Sequence, residues 1–181
     1  MKKEDLVKFL KSVYYDDSQD LVDLSGLDFG NCSVDISSMK VKGDLYQDWQ
    51  GVEGNLHQDS QTVQGNLHQE NQVVQGDLQQ QFQKVEGDLH QHCQKVDGDL
   101  QQEEQIVSGF LYQGHQKVCE NLHQNDQTVE GSLFQDSQKV DNDLYQNNQK
   151  FGGELYQNEI KTMTKKEIEN ELGYKIIIEE E

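Results

Sequence analysis

From Val41 to about Gln157 the apolar and polar positions obey one rule, V-x-G-x-L-x-Q-x-x-Q-x, with a period of eleven residues. Leucine recurs at Leu45, Leu56, Leu67 and so on to Leu155, and valine from Val41 to Val140, with Phe151 in the next place. One glutamine column runs from Gln47 to Gln157 and a second from Gln50 to Gln149. Glycine precedes leucine by two places in nearly every repeat, interrupted by Glu120 and Asn142.

An eleven-residue period also fits a right-handed helical coil. A glycine in nearly every repeat opposes it, at about 1 kcal/mol each in a helix. The alternation in Val85-Glu86-Gly87-Asp88-Leu89 is that of a strand, with Val, Gly and Leu predicted on one face. The pair of residues between the glutamines breaks the alternation and predicts a corner. Each repeat is thus expected to be a short strand plus a turn, and the fold an all-β solenoid (β-helix). Stacking at about 4.8 Å per coil would align like residues into ladders, with Val and Leu dry and the glutamines bonded along the axis. Glycine is expected to leave room for the facing wall. Core volume favours two repeats per coil, giving a flattened tube with facing Val/Leu layers.

The ends predict covers, because open sheet edges aggregate. Residues 1–21 read as an N-terminal helical cap, with Leu6, Val7, Phe9, Leu10 and Val13 as the apolar stripe from Lys3 to Tyr14. Residues 22–40 form a lead-in coil, 41–160 the repeat array, and 161–181 a C-terminal cap. That last segment starts a helix at the capping box Thr164–Glu167, stops it at Gly173 and ends in a strand.

Composition alone points the other way. A net charge of -19, 33% hydrophobic residues and a mean hydropathy of -0.92 resemble a disordered chain. The unbroken columns argue for order. The absence of proline fits a fold that needs every backbone N–H. Cys32, Cys93 and Cys119 share no metal-ligand spacing. An odd cysteine count and an N-terminus without a signal-peptide pattern predict a reducing cytoplasm.

The lead-in stretch Leu24-Ser25-Gly26-Leu27-Asp28-Phe29-Gly30-Asn31-Cys32 resembles pentapeptide-repeat proteins over about two units. Gly43-Asp44-Leu45-Tyr46-Gln47 resembles the G-D-L-Y repeats of phage and bacterial solenoid proteins. The main array departs from the first family in its period. Both resemblances imply a β-solenoid. The first also implies a logic of action, since pentapeptide-repeat proteins that act on DNA gyrase look like duplex DNA in shape and charge.

Candidate chemistry is sparse. His57, His68, His90 and His123 follow leucine and are expected to point outward, with His92 and His115 at corners. Adjacent coils would bring imidazoles near one another, but Tyr, Phe and Gln share the same column, so no metal site is predicted. Cys93 beside His92 lacks an activating motif. No catalytic residue and no cofactor are expected, and the chain reads as a non-enzyme.

The acidic residues carry the functional expectation. Glu53, Glu86, Asp97, Glu130 and Asp141 precede the glycine column, while Asp44, Asp77, Asp88, Asp99, Asp143 and Glu154 follow it. Both columns are expected to face outward in parallel rows. Exposed Tyr46 and Trp49 are candidate anchors beside them. The leading expectation is an acidic binding protein that imitates nucleic-acid charge and inhibits a basic nucleic-acid-binding enzyme through its groove or channel. It would not bind nucleic acid or membrane, and would suit a phage counter-defence role such as anti-CRISPR or anti-restriction in the host cytosol. The rival is a structural or adhesive module that holds a protein partner. Rows of charge that serve solubility alone remain the bland reading.

Overall fold

A computed structural model describes residues 21–157 of the chain. They form a parallel β-solenoid of about six coils. The helices expected from Lys3 to Tyr14 and from Thr164 to Leu172 lie outside the described residues. Strand pairing joins residues 22 apart, Leu78 to Leu100 and Val85 to Val107 for example, so each coil holds two repeats. Twenty-four short strands assemble into four sheets of seven, six, six and five strands.

Four sheets rather than two correct the expectation of one strand per repeat. Lys84–Val85 and Leu89–His90 are separate strands in separate sheets. The chain bends between them at Glu86-Gly87, and again after Gln91. The coil is therefore four-sided, with two leucine walls and two valine walls. The first leucine wall runs from Leu21–Asp23 through Asp44–Tyr46, Leu67–His68, Leu89–His90, Leu111–Tyr112 and Leu133–Phe134 to Leu155–Tyr156. The second runs from Val34–Asp35 through Leu56–His57, Leu78–Gln79, Leu100–Gln101 and Leu122–His123 to Leu144–Tyr145.

The glycine column serves the coil beneath, not the facing wall. A Cβ on Gly109 would sit 2.7 Å from the carbonyl oxygen of Gly87 and collide with Asp88 Oδ1. The bare backbone instead lets the Gly109 N–H donate to Gly87 O at 3.0 Å. Where Asn142 lies over Glu120, the equivalent bond stretches to 3.4 Å.

The second corner demands a left-handed residue in every repeat, and it is not glycine. Trp49, Phe82, Cys93, Glu104 and His115 all occupy it with φ between 52° and 57°. Such a conformation costs an L-residue roughly 1–2 kcal/mol. Ladder bonds offset the strain, as in Cys93 N–H to Gly114 O at 3.1 Å.

Inside, the repeats from Val41 to Gln135 bury Val, Leu and both glutamines, while Leu144, Phe151 and Leu155 at the far end are exposed. Leu45 through Leu133 are fully buried, and so are Gln47 through Gln135 to within 2%. Gln91 Nε2 donates to Gln69 Oε1 of the coil beneath at 3.0 Å and to Gln83 Oε1 of the opposite half at 3.0 Å. Gln94 Nε2 donates to Gln69 O at 2.9 Å and Gln72 Oε1 at 3.1 Å. An amide can both donate and accept, so the row satisfies itself at every level. Among the described residues only Gln135 Oε1 is buried without a partner. Near that end Gln157 Nε2 turns to Gln146 Oε1 instead.

Candidate functional site: acidic corners and an outward ring ladder

The acidic columns straddle the glycine corner, and the 22-residue register sorts them into axial rows. Before glycine, Glu53, Gln75, Asp97, Cys119 and Asp141 stack in one row, and Glu86, Ser108 and Glu130 in another. After glycine, Asp44, Asn66 and Asp88 share a row. Asp77, Asp99, Asn121 and Asp143 share the fourth. Neutral residues separate most like charges by two coils, about 9.6 Å, so the rows are diluted rather than continuous. The exception is Asp77 directly beneath Asp99.

The two columns differ in what they touch. Glu53, Glu86, Asp97, Glu130 and Asp141 are exposed. Lys95 approaches Asp97 at 3.9 Å and Lys139 approaches Asp141 at 4.0 Å, distances at which exposed pairs contribute little. The residues after glycine are pinned into the ladder. Asp88 Oδ1 accepts the Phe110 N–H at 2.8 Å, Asp44 Oδ1 the Asn66 N–H at 2.7 Å, and Asp99 Oδ1 the Asn121 N–H at 3.0 Å. Asn55, Asn66 and Ser33 do the same job elsewhere in the column. This structural duty was not visible in the charge pattern. The signal was the restriction of the column mostly to Asp, Asn and Ser, side chains short enough to accept from a backbone one coil away.

A third acidic column lies at the second corner. Asp48 Oδ1 accepts the Glu70 N–H at 2.7 Å, and Asp59 Oδ1 the Gln81 N–H at 2.8 Å. Burial raises the pKa of both carboxyls above the ordinary range, and the backbone bonds oppose that shift.

On the first leucine wall the outward residues build a continuous ring ladder: Tyr46, His68, His90, Tyr112, Phe134 and Tyr156. Centroids are 4.4–4.7 Å apart and the planes within 17°. Both faces of His68, His90, Tyr112 and Phe134 are used by their neighbours, so along its length the ladder presents edges, not stacking platforms. Tyr46 is half-buried as its first rung, whereas Trp49, 67% exposed, stands free at a corner. The second leucine wall carries His57, Gln79, Gln101, His123 and Tyr145 in the same position and forms no such run of rings.

The outward histidines therefore do meet, as the coil register requires. His90 lies over His68, and its Nδ1 is 3.3 Å from Glu70 Oε1. His92 Nε2 is 3.0 Å from the same oxygen. Burial lowers the His90 pKa, His68 lowers it further, and Glu70 and Asp88 pull it back up. Cys93 is exposed at the adjoining corner.

No protein-family profile, curated protein or solved structure matches the chain. No helix among the described residues is long and apolar enough to cross a membrane.

Proposed function

We propose that the chain is an acidic rod that occupies the nucleic-acid-binding groove or channel of a basic enzyme and thereby inhibits it. The observation that carries this reading is linear charge density. Residues 21–157 hold 22 Asp and Glu against seven Lys and no Arg, a balance of -15. About six coils at about 4.8 Å make a rod of roughly 30 Å, or roughly one net negative charge per 2 Å. Duplex DNA carries one per about 1.7 Å. A basic groove shaped to neutralise phosphates would meet comparable charge along the rod, mounted on a backbone stiffened by ladders on four sides. Long-range attraction would speed encounter, and exposed side chains before each glycine would make the contacts. Trp49, on an exposed corner, supplies an apolar anchor beside the charge.

The test is displacement. A fluorescent 20-base-pair duplex is bound to a panel of basic enzymes: a type II topoisomerase, restriction nucleases and an RNA-guided nuclease. The purified chain is then titrated in at low and at high salt. Release of duplex from at least one enzyme, weakened at high salt, supports the proposal. Retention of duplex by all of them at low salt refutes inhibition by charge imitation for these classes.

A further inference from the structure

Two adjacent coils set a two-by-two array of donor side chains on the first leucine wall. His68 and Glu70 face outward on one coil with Gln69 buried between them, and His90 and His92 do so on the next with Gln91 buried between. Parallel pairing puts His90 on His68. The Asn71 N–H bond to His92 O, 3.1 Å, continues the register past the corner. Consequently the donor atoms of His68, Glu70 and His90 all lie within 4.8 Å of one another. His92 Nε2 lies 3.0 Å from the Glu70 oxygen that His90 also approaches.

We propose that His68, Glu70 and His90 bind a divalent transition-metal ion of the zinc and nickel class. Imidazole and carboxylate are the donors such ions select. Bonds of about 2.0–2.1 Å around a tetrahedral centre place neighbouring donor atoms about 3.3 Å apart. His90 Nδ1 and Glu70 Oε1 already stand at 3.3 Å, and His92 Nε2 and Glu70 Oε1 at 3.0 Å. The His68 and His90 rings stack within 8° of parallel, so both nitrogens reach one ion only when the rings rotate out of that stack. Tyr46 stacks on the outer face of His68 at 4.4 Å and Tyr112 on that of His90 at 4.7 Å. The ladder thus keeps both imidazoles beside Glu70, and an ion must outcompete the His68–His90 stack to bind them. The carboxylate is not a rung of the ladder. It reaches sideways from the corner column to two imidazoles of the coil above it, a convergence that ring stacking alone does not require. An ion here ties two coils together through side chains.

The second leucine wall provides the control. His57 Nδ1 pairs with Gln79 Oε1 at 2.8 Å, and His123 Nδ1 lies 3.8 Å from Glu103 Oε1. Glutamine rather than a second imidazole is the axial neighbour of each, at Gln79 and Gln101. Those glutamines also show that the fold accepts Gln in the histidine column.

The untagged full-length chain is titrated calorimetrically with zinc chloride, alongside the H68Q/H90Q and H57Q/H123Q variants, each first checked by circular dichroism. Cobalt(II) is added in parallel, for its visible absorption in a four-coordinate nitrogen and oxygen site. The expected result is about one ion per chain, affinity at least tenfold weaker in H68Q/H90Q, and little change in H57Q/H123Q. The cobalt bands should vanish in H68Q/H90Q alone. Absence of stoichiometric zinc binding overturns the proposal, as does an affinity that survives H68Q/H90Q or falls equally in both variants.

Discussion

Glu86 and Asp88 flank the same glycine and carry the same charge, yet they belong to different parts of the molecule. Glu86 is exposed at the bend. Asp88 is half-buried past the bend, and its Oδ1 accepts the Phe110 N–H of the next coil at 2.8 Å. Repeated along the rod, one column is charge offered to solvent and the other is charge used as a backbone acceptor. Net charge therefore overstates what a partner can grip, and the two columns have different mutational signatures.

The largest effect should come from the wall beneath the pinned column. Leu89→Asp places an unpaired charge in a fully buried ladder and should cost more than about 4 kcal/mol, enough to abolish the folded circular-dichroism signal. Asp88→Asn keeps an Oδ1 acceptor and should melt near the parent. Equal losses would erase the distinction between inward and outward faces on which the comparison rests.

Next comes the amide row. Gln91→Glu removes the donors to Gln69 and Gln83 and buries a charge among carbonyl oxygens. A cost of about 3 kcal/mol in urea unfolding is expected, against much less for His90→Glu on the half-buried outer row. If both cost the same, the amide ladder is not what holds the coil halves together.

The two columns themselves are separated by truncation. Asp88→Ala strips the acceptor from the Phe110 N–H and should cost about 1 kcal/mol. Glu86→Ala should stay within about 0.5 kcal/mol. Chemical denaturation of both variants reads the difference directly, and the reverse order would mean that the corner is assigned backwards.

The smallest effect concerns the third column. Burial raises the Asp59 pKa in the folded state, so the folded protein favours the protonated form more than the unfolded chain does. That contribution is present below the ordinary carboxylate range and lost as pH rises through the folded pKa, leaving a cost at neutral pH. Asp59→Asn keeps the acceptor for the Gln81 N–H and should melt slightly higher than the parent at pH 7, by less than about 1 kcal/mol. The advantage should disappear near pH 3, where the parent is protonated whether folded or not.

Much of the architecture was legible because the core repeats every eleven residues. Leu89, Val85, Gln91 and Gln94 could be placed inward from spacing alone, and two repeats per coil followed from volume. The four-sided section was not legible. A Val-Glu-Gly-Asp-Leu stretch alternates like one strand, and the bend at Gly87 comes from contact with Gly65 of the coil beneath, which no local pattern reports. The left-handed corner was hidden for a similar reason: Trp49, Phe82 and Glu104 carry no glycine or asparagine signature, because ladder bonds on either side set their backbone. The ring ladder was half visible, since Tyr46, Tyr112, Phe134 and Tyr156 already fell in one 22-residue register. The meeting of Glu70 with His90 and His92 depends on side-chain reach across coils, which the repeat rule leaves open.

The exposed column is the proposed binding surface. E86Q/D97N/E130Q/D141N neutralises four exposed carboxylates and leaves the pinned aspartates in place. Its affinity for the enzyme from which the parent displaces duplex DNA is measured at 0.1 M and 1 M salt, where the Debye length falls from about 10 Å to about 3 Å. The variant should bind at least tenfold more weakly at low salt, associate more slowly, and lose less affinity than the parent when salt is raised. A variant that binds as tightly and as quickly as the parent, with the same salt dependence, would contradict that role for the column.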